Sequence, residues 1–214
     1  MIKCPLKKPR WERRKDARPQ ELLAAALDLF VERGFAATRL DDVAARAGVS
    51  KGTLYLYFAN KEELFKAVVR ENVLPALGEA EDTVGSFEGS TADLFREIVF
   101  GWWDRIGHSK VSGISKLMLA ESNNFPEVAE FYRDEVIARA DAMIASLLER
   151  GIRRGEFRPI DVQHATSVLC APMLMLMLSQ HSFNCQVHPV SPQQYLETFV
   201  ELFLNGLRRD AASQ

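Results

Sequence analysis

The stretch TRLDDVAARAGVSKGTLYLYFANKEELF, Thr38 to Phe65, constrains the fold of this chain more than any other, because two readings of it conflict. From Thr53 to Phe58 polar-capable and purely apolar residues alternate and β-formers dominate, which by period alone describes a strand. The flanks describe helices. Thr38 is placed to cap the segment LDDVAARAG, with Asp41 three residues on in a capping-box arrangement. Gly48 closes that segment and is free to take the positive φ of a turn. Ser50 stands as the next N-cap, and Asn60 with Glu63 opens a further helix. On a helix, Leu54 and Phe58 share one face by their i,i+4 spacing and pack back on Val43 and Ala47. The alternation is then a narrow apolar stripe on a short helix, and Lys51, Thr53, Tyr55 and Tyr57 are left facing elsewhere.

The rest of the chain reads as helix throughout. RPQELLAAALDLFVERGF carries an apolar stripe of Leu23, Ala26, Leu27 and Phe30, with Gly34 as a left-handed C-cap and Phe35 folding back. The helix opened at Asn60 runs to about Leu77, bent or broken at Pro75. Residues 78–91, rich in Gly, Ser and acid, are expected to be a loop. Helical segments follow at ADLFREIVFGWWDRIG, SGISKLMLAES, PEVAEFYRDEVIARADAMIASLLERG, VQHATSVLCAPMLMLMLSQHSF (capped by Asp161) and QQYLETFVELFLNGLRR (opened by Ser191 and Pro192). The fold class is all-α, with about nine helices, divided as a basic arm (1–18), a helix–turn–helix head (19–66) and a helical body (67–214).

Charge separates the two ends. Residues 1–70 carry 15 Lys/Arg against 9 Asp/Glu, a net of +6, and the remainder 12 against 20, a net of −8. A basic front on an acidic body points to a polyanion for the front half. The arm holding Lys7, Lys8, Arg10, Arg13, Arg14 and Lys15 is open to two readings: entry into a minor groove or along phosphates, and, the preferred one, only weak, salt-sensitive affinity. Three cysteines, Cys4, Cys170 and Cys185, lack paired spacing and fit a reducing, cytoplasmic setting. The apolar run Val168–Leu178 is interrupted by Pro172 and is shorter than the ~20 residues of a membrane span, so no membrane partner is expected.

The short helix suits DNA. A recognition helix enters the major groove by its N-terminal end. There Gly52 allows close backbone approach, Lys51 reaches a guanine edge or a phosphate, and Thr53 offers a methyl and a hydroxyl to base edges. Tyr57 and Lys61 lie where a sugar–phosphate strand would flank the helix, and Thr38 on the other side. From about Ala24 to Ala67 the chain resembles the N-terminal DNA-binding signature of the TetR/AcrR family of bacterial transcriptional regulators. The resemblance implies a homodimer whose three short helices and the start of the fourth bind a double-stranded DNA operator, with a ligand-responsive body. It places recognition-helix contacts on Lys51, Gly52, Thr53 and Tyr55, and backbone contacts on Thr38, Ser50, Tyr57 and Lys61.

In the body, aromatic and sulfur side chains suit an adaptable pocket for a small apolar or aromatic effector. Trp102, Trp103, Met118, Phe131 and Met173 are its expected lining. VLCAPMLMLML is apolar all round, and the last helix is apolar over more than one stripe, so both either meet more than their own domain or are buried within the monomer. The resemblance implies the first, a four-helix dimer interface, expected through Met175, Leu176, Phe199 and Phe203. His108, His164, His181 and His188 have no metal-site spacing, no cofactor is expected, and no phosphate loop or nucleophile elbow occurs. The function expected is a ligand-responsive regulator, a repressor released from a palindromic operator. The competing readings are a small-molecule carrier with an inoperative head and an all-helical enzyme, for which no catalytic constellation speaks.

Overall fold

A computed structural model describes residues 18–182 and 191–208. The basic arm short of Arg18, together with Cys4, Cys185 and His188, lies outside the described residues. The helices are α1 (Arg18–Ala37), α2 (Leu40–Arg46), α3 (Lys51–Tyr55), α4 (Lys61–Asn72), α5 (Leu74–Ser86), α6 (Thr91–Trp102), α7 (Gly113–Glu121), α8 (Pro126–Tyr132), α9 (Ala138–Arg153), α10 (Val162–Ser182) and α11 (Pro192–Leu207). A π-turn at Trp103–Gly107 prolongs α6, and another at Arg133–Ile137 joins α8 to α9. With α4–α5 and α8–α9 each taken as one bent rod, the described residues hold nine helical rods. Among them the sole β feature is an isolated bridge between Phe157 and Arg208.

Local signals set most helix ends. The side chains of Ser50 and Asn60 accept hydrogen bonds from the backbone amides of Thr53 (3.1 Å) and Glu63 (2.8 Å). Asp161 caps α10 through the His164 amide, and Ser191 caps α11. Gly34 bends the end of α1 at φ +84°, and Gly48 makes the α2–α3 turn at φ +67°, both in the region that disfavours side chains. Pro75 sits in the first turn of α5, so the break falls at Val73.

Two expectations are corrected here. Thr38 is not the cap of α2. Arg39 holds that position without a side-chain bond, while Thr38 is 2 % exposed and donates its hydroxyl to the carbonyls of Leu29 and Gly34. Residues 78–91 are not a loop. Helix continues to Ser86, and only Phe87–Ser90 connect α5 to α6.

Two hydrophobic cores form. The first joins α1–α4 to α7 and α8, so head and body share one interior. Its centre is aromatic: Phe30, Phe35 and Phe65 lie with ring centroids 5.5–5.6 Å apart, and Phe125 meets Phe35 edge-on at 4.6 Å. The second joins α6, α9, α10 and α11 around Phe95, Leu148, Leu196 and Phe199.

The dimer set divides. Leu176 and Phe199 are buried in the second core, and Phe203, half-buried, stacks on Phe95 at 5.2 Å. Met175 is 56 % exposed, and Val168 and Leu202 are exposed with it. α10 is 21 residues long and holds an 18-residue window of mean hydropathy 1.4, enough by length and composition to cross a membrane, which the run Val168–Leu178 alone was not. It packs on α7, α9 and α11.

Phe65→Ala is expected to lower the unfolding free energy by about 3–5 kcal/mol in chemical denaturation, from lost burial and the cavity left behind. Tyr55→Ala, on the exposed face of α3, is expected to change it by no more than about 0.5 kcal/mol.

Candidate DNA-binding surface and effector cavity

The α2–α3 corner is a rigid bracket. Val49 donates its amide to the Ala44 carbonyl (2.9 Å), and Leu54 is fully buried beside Val43 and Ala44. With Leu54 anchored and Phe58 packed one turn on, the outward face of α3 carries Lys51, Gly52, Tyr55, Leu56 and Tyr57, all exposed. Thr53 is half-buried. Its hydroxyl lies 2.8 Å from that of Ser50, which ties it to the cap and leaves the methyl as its free end.

Lys51 is held before any partner arrives. Its ammonium reaches Asp41 at 2.9 Å, and this bond raises it above the ordinary lysine range. Such an exposed pair is largely screened by solvent, so an anionic or guanine partner displaces Asp41 at small cost. Leu56 went unnoticed in the sequence, yet it is 83 % exposed, more than the neighbouring tyrosines. The available signal was its place between Leu54 and Phe58, off the buried stripe.

Lys61 is placed otherwise than expected. Its side chain turns inward and donates to the carbonyls of Phe35 (2.7 Å) and Ala36 (3.2 Å). Its ammonium lies 4.6 Å from the Phe35 ring centroid and 5.7 Å from that of Phe125. Burial there pushes it below the ordinary lysine range. The same corner is held by the body: Glu121, at the end of α7, accepts from the Ala36 amide at 3.3 Å. Lys110 bonds Asp28 of α1 at 2.7 Å, and the Arg70 guanidinium of α4 lies over Phe131 of α8 at 4.9 Å. Of the expected DNA contacts, Ser50, Lys51, Gly52, Thr53, Tyr55 and Tyr57 share one surface. The side chains of Thr38 and Lys61 are spent inside the head.

Between the two cores lies a cavity of about 490 Å³, within the range of small-molecule sites. Trp102, Met118 and Met173 line it as expected. Trp103 packs in the second core, and Phe131 lies under Arg70. The sequence reading missed Leu77 and Asp141 on its wall, where Tyr132 lies as well. Tyr132 is buried with its hydroxyl 3.1 Å from that of Ser115, and burial raises its ionisation above the usual range. α5 has no buried residue, because its apolar side faces this space.

Residues 22–68 match the family model of the bacterial regulatory proteins of the tetR family, and residues 88–184 match that of the tetracyclin repressor-like C-terminal domain. The chain belongs to the TetR family. Among its relatives, the uncharacterized HTH-type transcriptional regulator YfiR of Bacillus subtilis (strain 168) is 29% identical over 151 residues, 68% of this chain and 71% of YfiR. A TetR-family regulator from Mesorhizobium loti MAFF303099 has the same fold, with a TM-score of 0.71 at 21% identity over 92% of this chain and 100% of that one. The transcriptional regulator FadR from Bacillus subtilis, in complex with stearoyl-CoA, superposes with a TM-score of 0.71 at 18% identity, over 88% of this chain and 99% of that one. As a member of the TetR family, the protein is a ligand-responsive, DNA-binding transcriptional regulator.

Lys61→Met keeps the aliphatic stem but removes the donor to the end of α1. It is expected to cost about 1–2 kcal/mol of stability in thermal or chemical unfolding, because two carbonyls lose a charged partner.

Proposed function

We propose that this TetR-family protein is a homodimeric repressor that leaves its operator when an apolar ligand fills the cavity between the two cores. The observation that carries this reading is the position of α7. Met118 and Ser122, along it and at its end, line the cavity, while Glu121 and Phe125, at its end and just beyond, hold the α1 corner of the head. A ligand that displaces α7 therefore acts on the two groups that set the angle of the head. By linkage, a ligand that binds better to the arrangement unable to span two half-sites weakens DNA by the same coupling free energy. In a dimer the exposed Val168, Met175 and Leu202 on α10 and α11 are covered by their symmetry mates.

On the operator, Lys51, Gly52, Thr53 and Tyr55 read base edges, joined by Leu56, whose exposed apolar end suits a thymine methyl. Ser50 and Tyr57 contact the sugar–phosphate strand.

Footprinting on the protein's own promoter region, with and without added ligand, tests the reading. Protection that is lost on ligand addition supports it, and the absence of any protection at ~100 mM salt overturns it. Lys51→Ala and Thr53→Ala are each expected to cost about 1–3 kcal/mol of specific binding and to relax base preference, whereas Tyr57→Phe weakens all sequences alike. Glu121→Ala is expected to leave ligand affinity in place and to shrink the ligand's effect on DNA, a coupling that ordinarily spans about 5–150-fold. An undiminished effect in that variant would remove α7 from the route.

A further inference from the structure

The charges around the cavity are unequal. Three charged residues line it, Glu97, Arg105 and Asp141, and all three are exposed, which places them at its mouth. Arg105 is already engaged: its Nε donates to Glu79 at 2.8 Å and its guanidinium to the Gly101 carbonyl at 3.3 Å. Among the described residues neither Glu97 nor Asp141 pairs with a cation. Asp141 is instead pushed above the usual carboxylate range by burial, with no cation or donor to bring it back. Nearby, Arg139 is bound at both ends by Glu81. The mouth is thus acidic with its arginines neutralised, and the body beyond Arg70 carries a net of −8. Inside, Trp102 and Tyr132 offer aromatic rings, the side chains that best accept a cation on their faces.

We infer that the cavity takes a lipophilic cation, an amine or quaternary ammonium on an apolar body, with Asp141 as the group that selects the charge and Glu97 assisting at the mouth. This rests on the reading of the cavity as the effector site and specifies the ligand class. An unpaired carboxylate at the rim of an apolar space favours cations and repels anions of equal length, so selection by charge is stronger than selection by shape in a cavity this adaptable. An acyl carboxylate finds at the mouth one arginine, already shared with Glu79 and the Gly101 carbonyl, and meets Glu97 and Asp141 beside it.

Three probes of equal chain length separate the possibilities: decyltrimethylammonium, decanoate and 1-decanol, each titrated calorimetrically into the full-length protein below its aggregation threshold. The ammonium is expected to bind about tenfold more tightly than the alcohol, and decanoate more weakly than either. In Asp141→Asn the ammonium preference is expected to fall to within about threefold of the alcohol, while decanol affinity stays as in the wild type. Glu97→Gln serves as a second variant with a smaller loss in the same direction. Equal binding of ammonium and alcohol, tighter binding of decanoate, or an ammonium preference unchanged in both variants overturns the inference and leaves the cavity an apolar effector site. If none of the three probes binds, the reading of the cavity as an effector site fails, and this inference with it.

Discussion

A helix ends with carbonyls that nothing within it can satisfy, and the last turn of α1 meets this need with the Lys61 ammonium beside the Thr38 hydroxyl, which takes the Gly34 carbonyl. Lys61 donates to Phe35 and Ala36 from the first turn of α4, and its charge lies between the rings of Phe35 and Phe125. This bond fixes where α1 stops and at what angle the chain leaves for α2. It also holds Phe35 against Phe30 and Phe65 at the centre of the first core. Since Phe125 and Glu121 belong to the body, the corner that aims the helix–turn–helix is partly built from outside the head. The head is accordingly a part of the first core rather than a domain on a tether.

The cavity follows from the same layout. The first core draws α7 and α8 toward the head, and the second draws α6, α9, α10 and α11 together. α5, set apart by the break at Val73 and Pro75, lies along the gap and brings mostly small side chains to it, Ala76 and Ala80 beside Leu77. The space stays open because the helix that could fill it lacks bulk. Met118, Met173 and Trp102 supply a deformable wall instead.

What was legible in the sequence was what a few adjacent residues decide. Ser50, Asn60 and Ser191 cap the helices they were read to cap, and Gly48 makes its turn, because each signal acts within one turn of its own position. Thr38 carried the same local signature but is claimed by a tertiary contact, the carbonyls of Leu29 and Gly34. Lys61, read as flanking a sugar–phosphate strand, is likewise turned onto carbonyls of a distant helix end. α5 was hidden by Gly78, Gly85 and Ser86, whose weak helix propensity is overridden by packing against α4, α6 and α9. Leu176, Phe199 and Phe203 show the limit of an all-round apolar pattern. It announces two buried sides without saying which belongs to the chain's own core.

The hydroxyl of Thr53 is turned toward Ser50. With that hydroxyl taken up, the methyl is the end of Thr53 left without a polar partner, and the exposed Leu56 stands three residues on. A reading surface of this kind recognises a pyrimidine by the carbon at C5 rather than by the ring that bears it. In the proposed reading of the operator, thymine and 5-methylcytosine carry the same methyl in the same groove and differ there at position 4, an acceptor in one and a donor in the other, so a contact confined to the methyl would not tell them apart.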